Sequence, residues 1–439
     1  MAARLTAAAV LLVSGIVAWL AISVPLAARA LQVSIAVSIA YVAWLAWHGW
    51  RVMRRAVADA RSGAGEPTGL ARDLPFVSLV MPARNEAAVI GPSVAAARGL
   101  AYTGPDGAPA YELLVVDDGS SDNTGDVARR TDGAATLTVV RREPGGARTK
   151  GAALSFAMPY VRGQVVGVID ADTLLDRSFL ERAMRAWRRD ESAAALQVAR
   201  QPRNTASWLT RAQAEEQLMD MASQCGRWVT DGTAELRGNG MFVRRDILDS
   251  VGGWSDGALT EDLELSTRLS SAGHHVTLAP EATVHEEAVE SLTALWRQRM
   301  RWAEGSVRRL LEHGPGLLAG AQPPGRKLDF LAFAGEFLVP PLFVAAVTAS
   351  VLTIPMPRPA DWTVPVSLFV GYGLGSFLLA IAGLAAAGER GLPLVGRAAR
   401  GALFLSHWLV VVPAALARIA LGVAPTFVQT PRSGGRLAR

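Results

Sequence analysis

Three pairs of acidic residues stand where short apolar runs end or where a helical pattern begins: Asp117 with Asp118, Asp170 with Asp172, and Glu261 with Asp262. In a sheet that is covered by helices, ligands collect at the carboxyl ends of the strands. A carboxylate in such a place can hold a cation or take a proton from a reacting hydroxyl group. The three pairs are therefore the first candidates for a functional site.

Asp170 and Asp172 have the spacing of two residues that face the same side of an extended chain. Two carboxylates forced together repel each other, and the pKa of one rises unless a cation joins them. Ligands that offer only oxygen suit Mg²⁺ or Mn²⁺ and do not suit zinc. Because such an ion usually completes its shell with substrate phosphates, the pair predicts a divalent cation and a diphosphate partner.

The other two pairs have a chemical and a structural interpretation. Thr260 can cap a helix and the acids of its first turn can favour the helix dipole, which would explain Glu261 and Asp262 without chemistry. If the pair lies near the metal, Asp262 is the residue we predict as the base. Asp117 and Asp118 precede the sequence GSSDNT, which is also typical of a capped turn.

Basic and aromatic residues supply further candidates. Gln298, Arg301 and Trp302 fall at i, i+3 and i+4 and share one face of a predicted helix. Arg301 could neutralise phosphate charge and Trp302 could offer a flat face to a sugar ring; alternatively, the helix lies at a membrane interface. Lys150 lies in a Gly-rich turn before a helix, where it is either a diphosphate contact or a solvated loop residue.

The elements that must position these residues lie between residues 74 and 305, where short apolar runs alternate with helical patterns. This alternation is typical of an α/β domain with a mostly parallel sheet. Four runs are predicted to be buried strands: residues 76–82, 112–117, 136–140 and 165–170. The sequence contains no GxxxxGK[ST], HExxH or GxSxG motif and no GxGxxG after a strand, which disfavours NTPases, metalloproteases, esterases and dehydrogenases.

The composition of the 439 residues indicates a membrane protein, because 50% are apolar and 19% are charged, against roughly 25% charged in soluble chains. Residues 5–28 and 31–50 are each long enough to cross a bilayer and predict a helical hairpin. A cleaved signal peptide is a weaker alternative, since a second apolar run follows at once. Residues 328–354 and 364–387 predict two more spans, and residues 401–424 either a third or a re-entrant segment.

Positive residues flank the predicted spans on the side of the α/β domain: Arg51, Arg54, Arg55, Arg61, Arg326 and Lys327. The positive-inside rule therefore places that domain in the cytoplasm. These flanks also account for the net charge of +5 without a nucleic-acid partner. A single cysteine excludes an intramolecular disulfide.

The predicted organisation of the chain follows from these patterns. It consists of two N-terminal spans (1–55), a linker (56–73), the α/β domain (74–305), an interfacial segment (306–327), a C-terminal membrane region (328–424) and a tail (425–439).

Seven short motifs between residues 77 and 302 occur in an order that resembles the membrane-bound family 2 glycosyltransferases. They are MPARNE, VVDDGSSDNT, TKGAALS, DAD, RGNGMFVRRDIL, TED and QRMRW. That family contains cellulose, chitin and hyaluronan synthases and several lipid glycosyltransferases. Each motif alone is weak, but the collinear set, with hydrophobic helices on both sides, is specific.

The resemblance implies a GT-A fold, a nucleotide-sugar donor, usually a uridine diphosphate sugar, and an inverting transfer to a polysaccharide or lipid acceptor. By similarity, the donor would be bound by Pro82, Asn85, Glu86, Asp117, Asp118, Lys150 and Asp170. The metal, Mg²⁺ or Mn²⁺, would be held by Asp170 and Asp172, and Asp262 would be the catalytic base. The acceptor or the diphosphate would be contacted by Glu261, Gln298, Arg301 and Trp302. A catalytically silent membrane scaffold that keeps the donor-binding fold is the alternative from another functional class.

Overall fold

A computed structural model of the chain describes residues 2–62, 74–143, 145–320, 322–356 and 362–424. The predicted tail, residues 425–439, and residues 63–73 of the predicted linker lie outside the described residues.

A mixed sheet forms the centre of the α/β domain. Its eight strands in the described chain are β1 (Val77–Ala83), β2 (Tyr111–Asp117), β3 (Thr136–Arg141), β4 (Val165–Val168), β5 (Leu174–Leu175), β6 (Ala195–Pro202), β7 (Met241–Arg244) and β8 (Val276–Glu286). They lie in the order β3-β2-β1-β4-β7-β6-β8-β5. Strands β3, β2, β1 and β4 are parallel, β7 is antiparallel to both neighbours, β6 and β8 are parallel, and β5 is antiparallel to β8. The prediction of an α/β fold with a mostly parallel sheet is confirmed.

The predicted strands form where the sequence is richest in branched apolar residues. All seven residues of β2 and all four of β4 are buried, as expected for strands covered on both faces. Strand β3 was predicted to be buried as well, but its residues are half-buried or exposed. It is the edge strand of the sheet and has a neighbour on one side only.

Helices cover the sheet and continue into the apolar ends of the described chain. They are α1 (Ala2–Ser23), α2 (Pro25–Ser62), α3 (Ile90–Arg98), α4 (Thr124–Arg130), α5 (Lys150–Ala157), α6 (Phe179–Arg188), α7 (Trp208–Val229), α8 (Arg245–Ser250), α9 (Glu261–Ser271), α10 (Leu292–Ala319), α11 (Pro324–Glu336), α12 (Val339–Thr353), α13 (Thr363–Ala386), α14 (Gly391–Leu405) and α15 (Trp408–Leu421).

Five helical segments of the described chain are long and apolar enough to cross a membrane: Ala3–Ser23, Pro25–Asp59, Pro324–Thr353, Thr363–Ala386 and Gly391–Ala420. Their boundaries differ from the predicted ones. The first two are separated at Val24, whereas the sequence suggested a break at Arg29. Helix α2 continues through residues 56–62 of the predicted linker, and α10 continues through most of the predicted interfacial segment.

Helix α7 of the α/β domain packs directly on apolar helices, and glycines permit the close approach. A Cβ atom added to Gly226 of α7 would overlap the backbone carbonyl of Leu45 in α2. Similarly, a Cβ on Gly49 would overlap the carbonyl of Ala222, and one on Gly383 would overlap that of Leu218. The sheet domain and the apolar helices are therefore in backbone contact through α7.

Buried ion pairs reinforce the same junction. The Arg227 guanidinium of α7 lies 3.0 Å from the Asp329 carboxylate of α11, and the Tyr41 hydroxyl of α2 donates to that carboxylate at 2.7 Å. Glu215 of α7, which is fully buried, is bound by Arg397 at 3.0 Å and also by Arg400, both from α14. Removing one partner of a buried pair leaves an uncompensated charge, so these contacts fix the orientation of the domain.

Gly226→Ala is expected to lower the free energy of unfolding by about 1–3 kcal/mol, because the added methyl group must push α2 and α7 apart. The matched control is Gly15→Ala in α1, where a Cβ meets nothing within 4 Å, so the better helix propensity of alanine should leave the protein as stable or more stable. Thermal unfolding in nanodiscs, followed by circular dichroism, compares the two. Equal midpoints would contradict the close-contact account.

Candidate active site

A cavity of about 470 Å³ lies between the sheet and the apolar helices. Eight of the residues predicted from the sequence line it: Glu86, Lys150, Asp170, Glu261, Asp262, Gln298, Arg301 and Trp302. Apolar and aromatic side chains from the segment between α11 and α15 line another part of it: Phe333, Phe337, Pro340, Tyr372, Leu379, Leu405, Trp408 and Val412. A larger cavity of about 700 Å³, next to Pro75 and Arg245, contains none of the predicted residues.

Lys150 lies at the polar end of this cavity, as the first residue of α5. Thr149 caps the helix by accepting a hydrogen bond from the Ala152 amide. The Lys150 ammonium group lies 2.5 Å from Asp170 Oδ1, 3.1 Å from the Gly238 carbonyl and 3.6 Å from Glu261 Oε1. The interpretation of Lys150 as a solvated loop residue is therefore wrong. Burial disfavours its charge, but Asp170 and Glu261 outweigh that cost and raise the pKa of Lys150.

Glu261 and Asp262 begin helix α9, as the sequence predicted. Burial raises the pKa of Glu261 to about 7, although the nearby Lys150 charge opposes the shift. Thr260 makes no capping hydrogen bond to this helix within the described chain. Its side chain packs instead on α10, at the position where Gly305 has no Cβ. The capping explanation of this motif is thus not supported.

The GNG sequence before β7 shapes the centre of the site. Gly238 and Gly240 have φ angles of +78° and +71°, which favour glycine. A Cβ on Gly238 would lie 3.1 Å from Asp262 Oδ2, so the glycine leaves room for that carboxylate. Asn239, between them, accepts a hydrogen bond from the Asp170 amide at 3.1 Å and donates to Glu286 at 2.9 Å. The turn thus holds both Asp170 and Asp262 in place.

Asp172 does not reach the cavity with Asp170. Strand β4 ends at Val168, and the Thr173 amide donates to the Asp170 carbonyl at 3.1 Å, which closes a turn. In a turn, residues i and i+2 no longer face the same side, so Asp170 and Asp172 do not share a face as they would in an extended strand. The Asp172 carboxylate is buried and accepts a hydrogen bond from the Glu287 amide at 2.9 Å. Its role as a metal ligand stays a prediction.

The charge of the cavity bears on whether a cation fits. Nine carboxyl-bearing residues line it, against five basic ones, so carboxylate oxygens are available to a cation. No group of three histidine, cysteine or acidic residues within the described ranges is arranged to hold a metal alone. Mg²⁺ is commonly bound by one or two carboxylates together with substrate phosphates. The residues therefore fit a cation that Asp170 shares with a diphosphate, and not a cation held by protein ligands alone.

The remaining predicted donor residues form a turn network beside the cavity. Asp117 accepts hydrogen bonds from the Ser120 amide at 2.9 Å and from Arg141 at 3.0 Å, and Asp118 binds Arg142 at 2.6 Å. A structural role in holding this turn is therefore enough to explain the presence of Asp117. Asn85 has a φ angle of +51° and accepts from the Ser121 amide at 2.8 Å.

Pro82 is paired with Val116 within the sheet. Donor contacts by Pro82 and by the residues of the turn network stay predictions.

The helix predicted around QRMRW is α10, and its three predicted residues all line the cavity. The Arg299 guanidinium stacks on the Trp302 ring at 4.2 Å, so one face of the indole is already covered. Arg299 is itself buried and bound to Glu216 of α7. The motif thus faces inward, and Trp302 is half-buried.

Sequence reasoning missed three ion pairs that line the same cavity. Arg200 binds Glu286 at 2.8 Å, Arg237 binds Asp220 at 2.9 Å, and Arg299 binds Glu216. Glu286 ends a strand, as Asp117 does, and this position could have marked it as a candidate site residue. The positions of Glu216 and Asp220 inside α7 gave no signal, because acidic residues in a helix usually face solvent.

The fold and the cavity define a class of enzyme. Residues 75–305 match the family described as glycosyltransferase like family 2, and the chain belongs to that family. It is a glycosyltransferase, as the sequence motifs predicted.

Comparison of whole chains identifies similar proteins. The chain is 33% identical to a beta-monoglucosyldiacylglycerol synthase of Synechocystis sp. over 407 residues, and this aligned stretch covers 88% of this chain and 83% of the relative. A protein with the same description from Trichormus variabilis is 33% identical over 362 residues, covering 79% and 74%. A solved mannosyltransferase of Pyrobaculum calidifontis, in complex with GDP-Man and Mn²⁺, has a TM-score of 0.53 at 22% identity, covering 89% and 97%. This likeness confirms the GT-A fold.

Glu261→Gln should change how stability depends on pH. Between pH 4.5 and about 7 the folded protein keeps a proton on Glu261 that the unfolded chain has released. The free energy of unfolding of the wild type should therefore fall through this window relative to the variant, by at most about 3 kcal/mol. Thermal unfolding at both ends of the window, with a chelator present, measures the difference. Exposed Glu312→Gln is the control, and a parallel pH profile for wild type and Glu261→Gln would refute the assignment.

Proposed function

We propose that this glycosyltransferase transfers a sugar from a nucleotide diphosphate sugar, in the first instance a uridine diphosphate sugar, to the hydroxyl group of a membrane lipid. The observation that carries the proposal is the composition of one cavity. Its polar end contains Lys150, Asp170 and Asp262, and its other end is lined by helices long and apolar enough to cross a membrane. An acceptor with a polar hydroxyl and an apolar body matches both ends.

The comparisons favour a lipid over a polysaccharide. The relative named for a glucosyldiacylglycerol product aligns with 88% of this chain, and so includes much of the apolar helices. A poly-beta-1,6-N-acetyl-D-glucosamine synthase of Staphylococcus aureus is 28% identical over 46% of this chain. Because the acceptor end of the cavity is built from the apolar helices, the longer match is the more informative one. We therefore propose diacylglycerol as the acceptor.

Asp262 is the proposed catalytic base. Its carboxylate takes the proton of the acceptor hydroxyl while the oxygen forms a bond to the anomeric carbon. The bond from that carbon to the diphosphate breaks on the opposite side, so the configuration inverts and the nucleoside diphosphate leaves with the electron pair. Asp262 lines the cavity, so an acceptor hydroxyl group that enters the cavity can approach its carboxylate.

Charged side chains at the polar end hold the diphosphate in this proposal. Lys150 is half-buried and positively charged, and Arg301 lines the same cavity. Asp170 is the carboxylate that would hold Mg²⁺ or Mn²⁺ there. Such an ion would neutralise the negative charge of the diphosphate. Glu86 also lines the cavity, and its proposed role is to accept hydrogen bonds from the donor sugar.

The catalytic domain is proposed to face the cytoplasm. The support is the set of positive residues in the C-terminal part of α2 and at the start of α11, among them Arg51, Arg54, Arg326 and Lys327.

Asp262→Asn should lower the rate of transfer by a factor on the order of 10²–10⁴, because the amide cannot accept the hydroxyl proton. Binding of the nucleoside diphosphate should persist, since the donor contacts are unchanged. Radiolabelled sugar transfer and calorimetric titration with UDP measure the two quantities. Asp132→Asn, an exposed acid distant in sequence from the site, serves as the control. If the Asp262→Asn variant transferred sugar at the wild-type rate, Asp262 would not be the catalytic base.

A direct test of the function screens UDP-sugars against the purified chain in vesicles that contain diacylglycerol, with and without Mn²⁺. We expect a sugar-bearing lipid that forms only when donor and diacylglycerol are both present, and that is lost with a chelator. Formation of a long polymer would instead support the polysaccharide alternative. No turnover of any nucleotide sugar would support the silent scaffold.

A further inference from the structure

Glu336 is an acidic residue in an apolar segment. It lies within Pro324–Thr353, one of the five segments that could cross a membrane, and it lines the cavity. Phe333, Phe337 and Pro340 line the cavity with it. These positions are spaced i, i+3, i+4 and i+7, and Glu336 is the charged member of that set.

Local structure does not explain the residue. Glu336 is the last residue of α11, and a negative charge at the C-terminus of a helix is unfavourable to the helix dipole. An ionisable group in a membrane segment is also costly, and it usually faces a partner or a polar cavity. Among the residues that the structure describes, no hydrogen bond or ion pair joins Glu336 to another side chain.

The basic groups around it are already engaged. Arg227 and Arg237 are the guanidinium groups whose charges act on Glu336. Arg227 is bound to Asp329 at 3.0 Å, and Arg237 is bound to Asp220 at 2.9 Å. A phosphate group that entered this end of the cavity would therefore meet the Glu336 carboxyl group, and both guanidinium groups of this pair would already be bound to other carboxylates.

We propose that Glu336 selects the acceptor by charge, admitting lipids with an uncharged hydroxyl headgroup and excluding lipids whose headgroup carries a phosphate. The inference rests on the proposed lipid acceptor. A carboxyl group accepts a hydrogen bond from a hydroxyl, and in its ionised form it repels a phosphate.

The test compares two acceptors that both present a primary hydroxyl. Phosphatidylcholine vesicles contain the full chain and either diacylglycerol or phosphatidylglycerol at equal mole fraction, and sugar transfer to each lipid is measured. We expect the wild type to favour diacylglycerol by roughly tenfold or more. Glu336→Gln should raise the ratio of phosphatidylglycerol to diacylglycerol transfer roughly tenfold, and Glu336→Asp should keep the wild-type preference.

Two further variants make the result decisive. Exposed Glu312→Gln also removes one carboxylate and should leave the ratio unchanged. Glu336→Met removes the charge at similar volume and replaces the glutamine variant if that variant fails to bind UDP.

Three outcomes would count against the idea, and they differ from one another. Equal use of both lipids by the wild type overturns the role of Glu336, whatever the variants do. A preference that persists in Glu336→Gln and Glu336→Met overturns it as well. Transfer to neither lipid by a chain that still binds UDP refutes the lipid acceptor itself, and with it the inference.

Discussion

The polar end of the cavity depends on the ion pairs of the half-buried Lys150 ammonium group. It draws together Asp170, which follows β4, and Glu261, which begins α9, and it also bonds to the backbone of Gly238. Without a cation between them, these carboxylates would repel each other in a place where water screens little. One positive charge thus joins three segments that are far apart in the sequence, and it sets the position of the neighbouring Asp262.

The second constraint is the junction at α7. This helix packs its glycine-lined face on α2 and α13, while its acidic residues bind arginines of the cavity and of α14. The polar end of the cavity belongs to the sheet domain, whereas the apolar end is lined by the apolar helices. Because α7 contacts both, the distance between the two ends is fixed by packing, which a transfer reaction requires for alignment of its reactants.

The sequence predicted what depends on local pattern. Buried strands, the start of α9 and the shared face of Gln298, Arg301 and Trp302 all follow from spacing along one element, and the structure agrees. Prediction was less successful where neighbours distant in sequence decide. Asp172 was assumed to follow an extended chain, yet the strand ends two residues before Asp170. For Lys150 the sequence left a diphosphate contact and a solvated loop residue both open, because its carboxylate partners lie 20 and 111 residues away in the sequence.

The buried ion pairs of α7 also show that the family match and the set of packed elements have different limits. The family match covers residues 75–305, but Glu215 and Arg227 inside that stretch find their counterions on α14 and α11, beyond its end. A polypeptide cut at the limits of the match would lose the partners of Glu215 on α14 and of Arg227 on α11, and it would uncover the face of α7 that packs on α2 and α13. The stretch that defines the family is therefore shorter than the stretch whose contacts hold α7 in place.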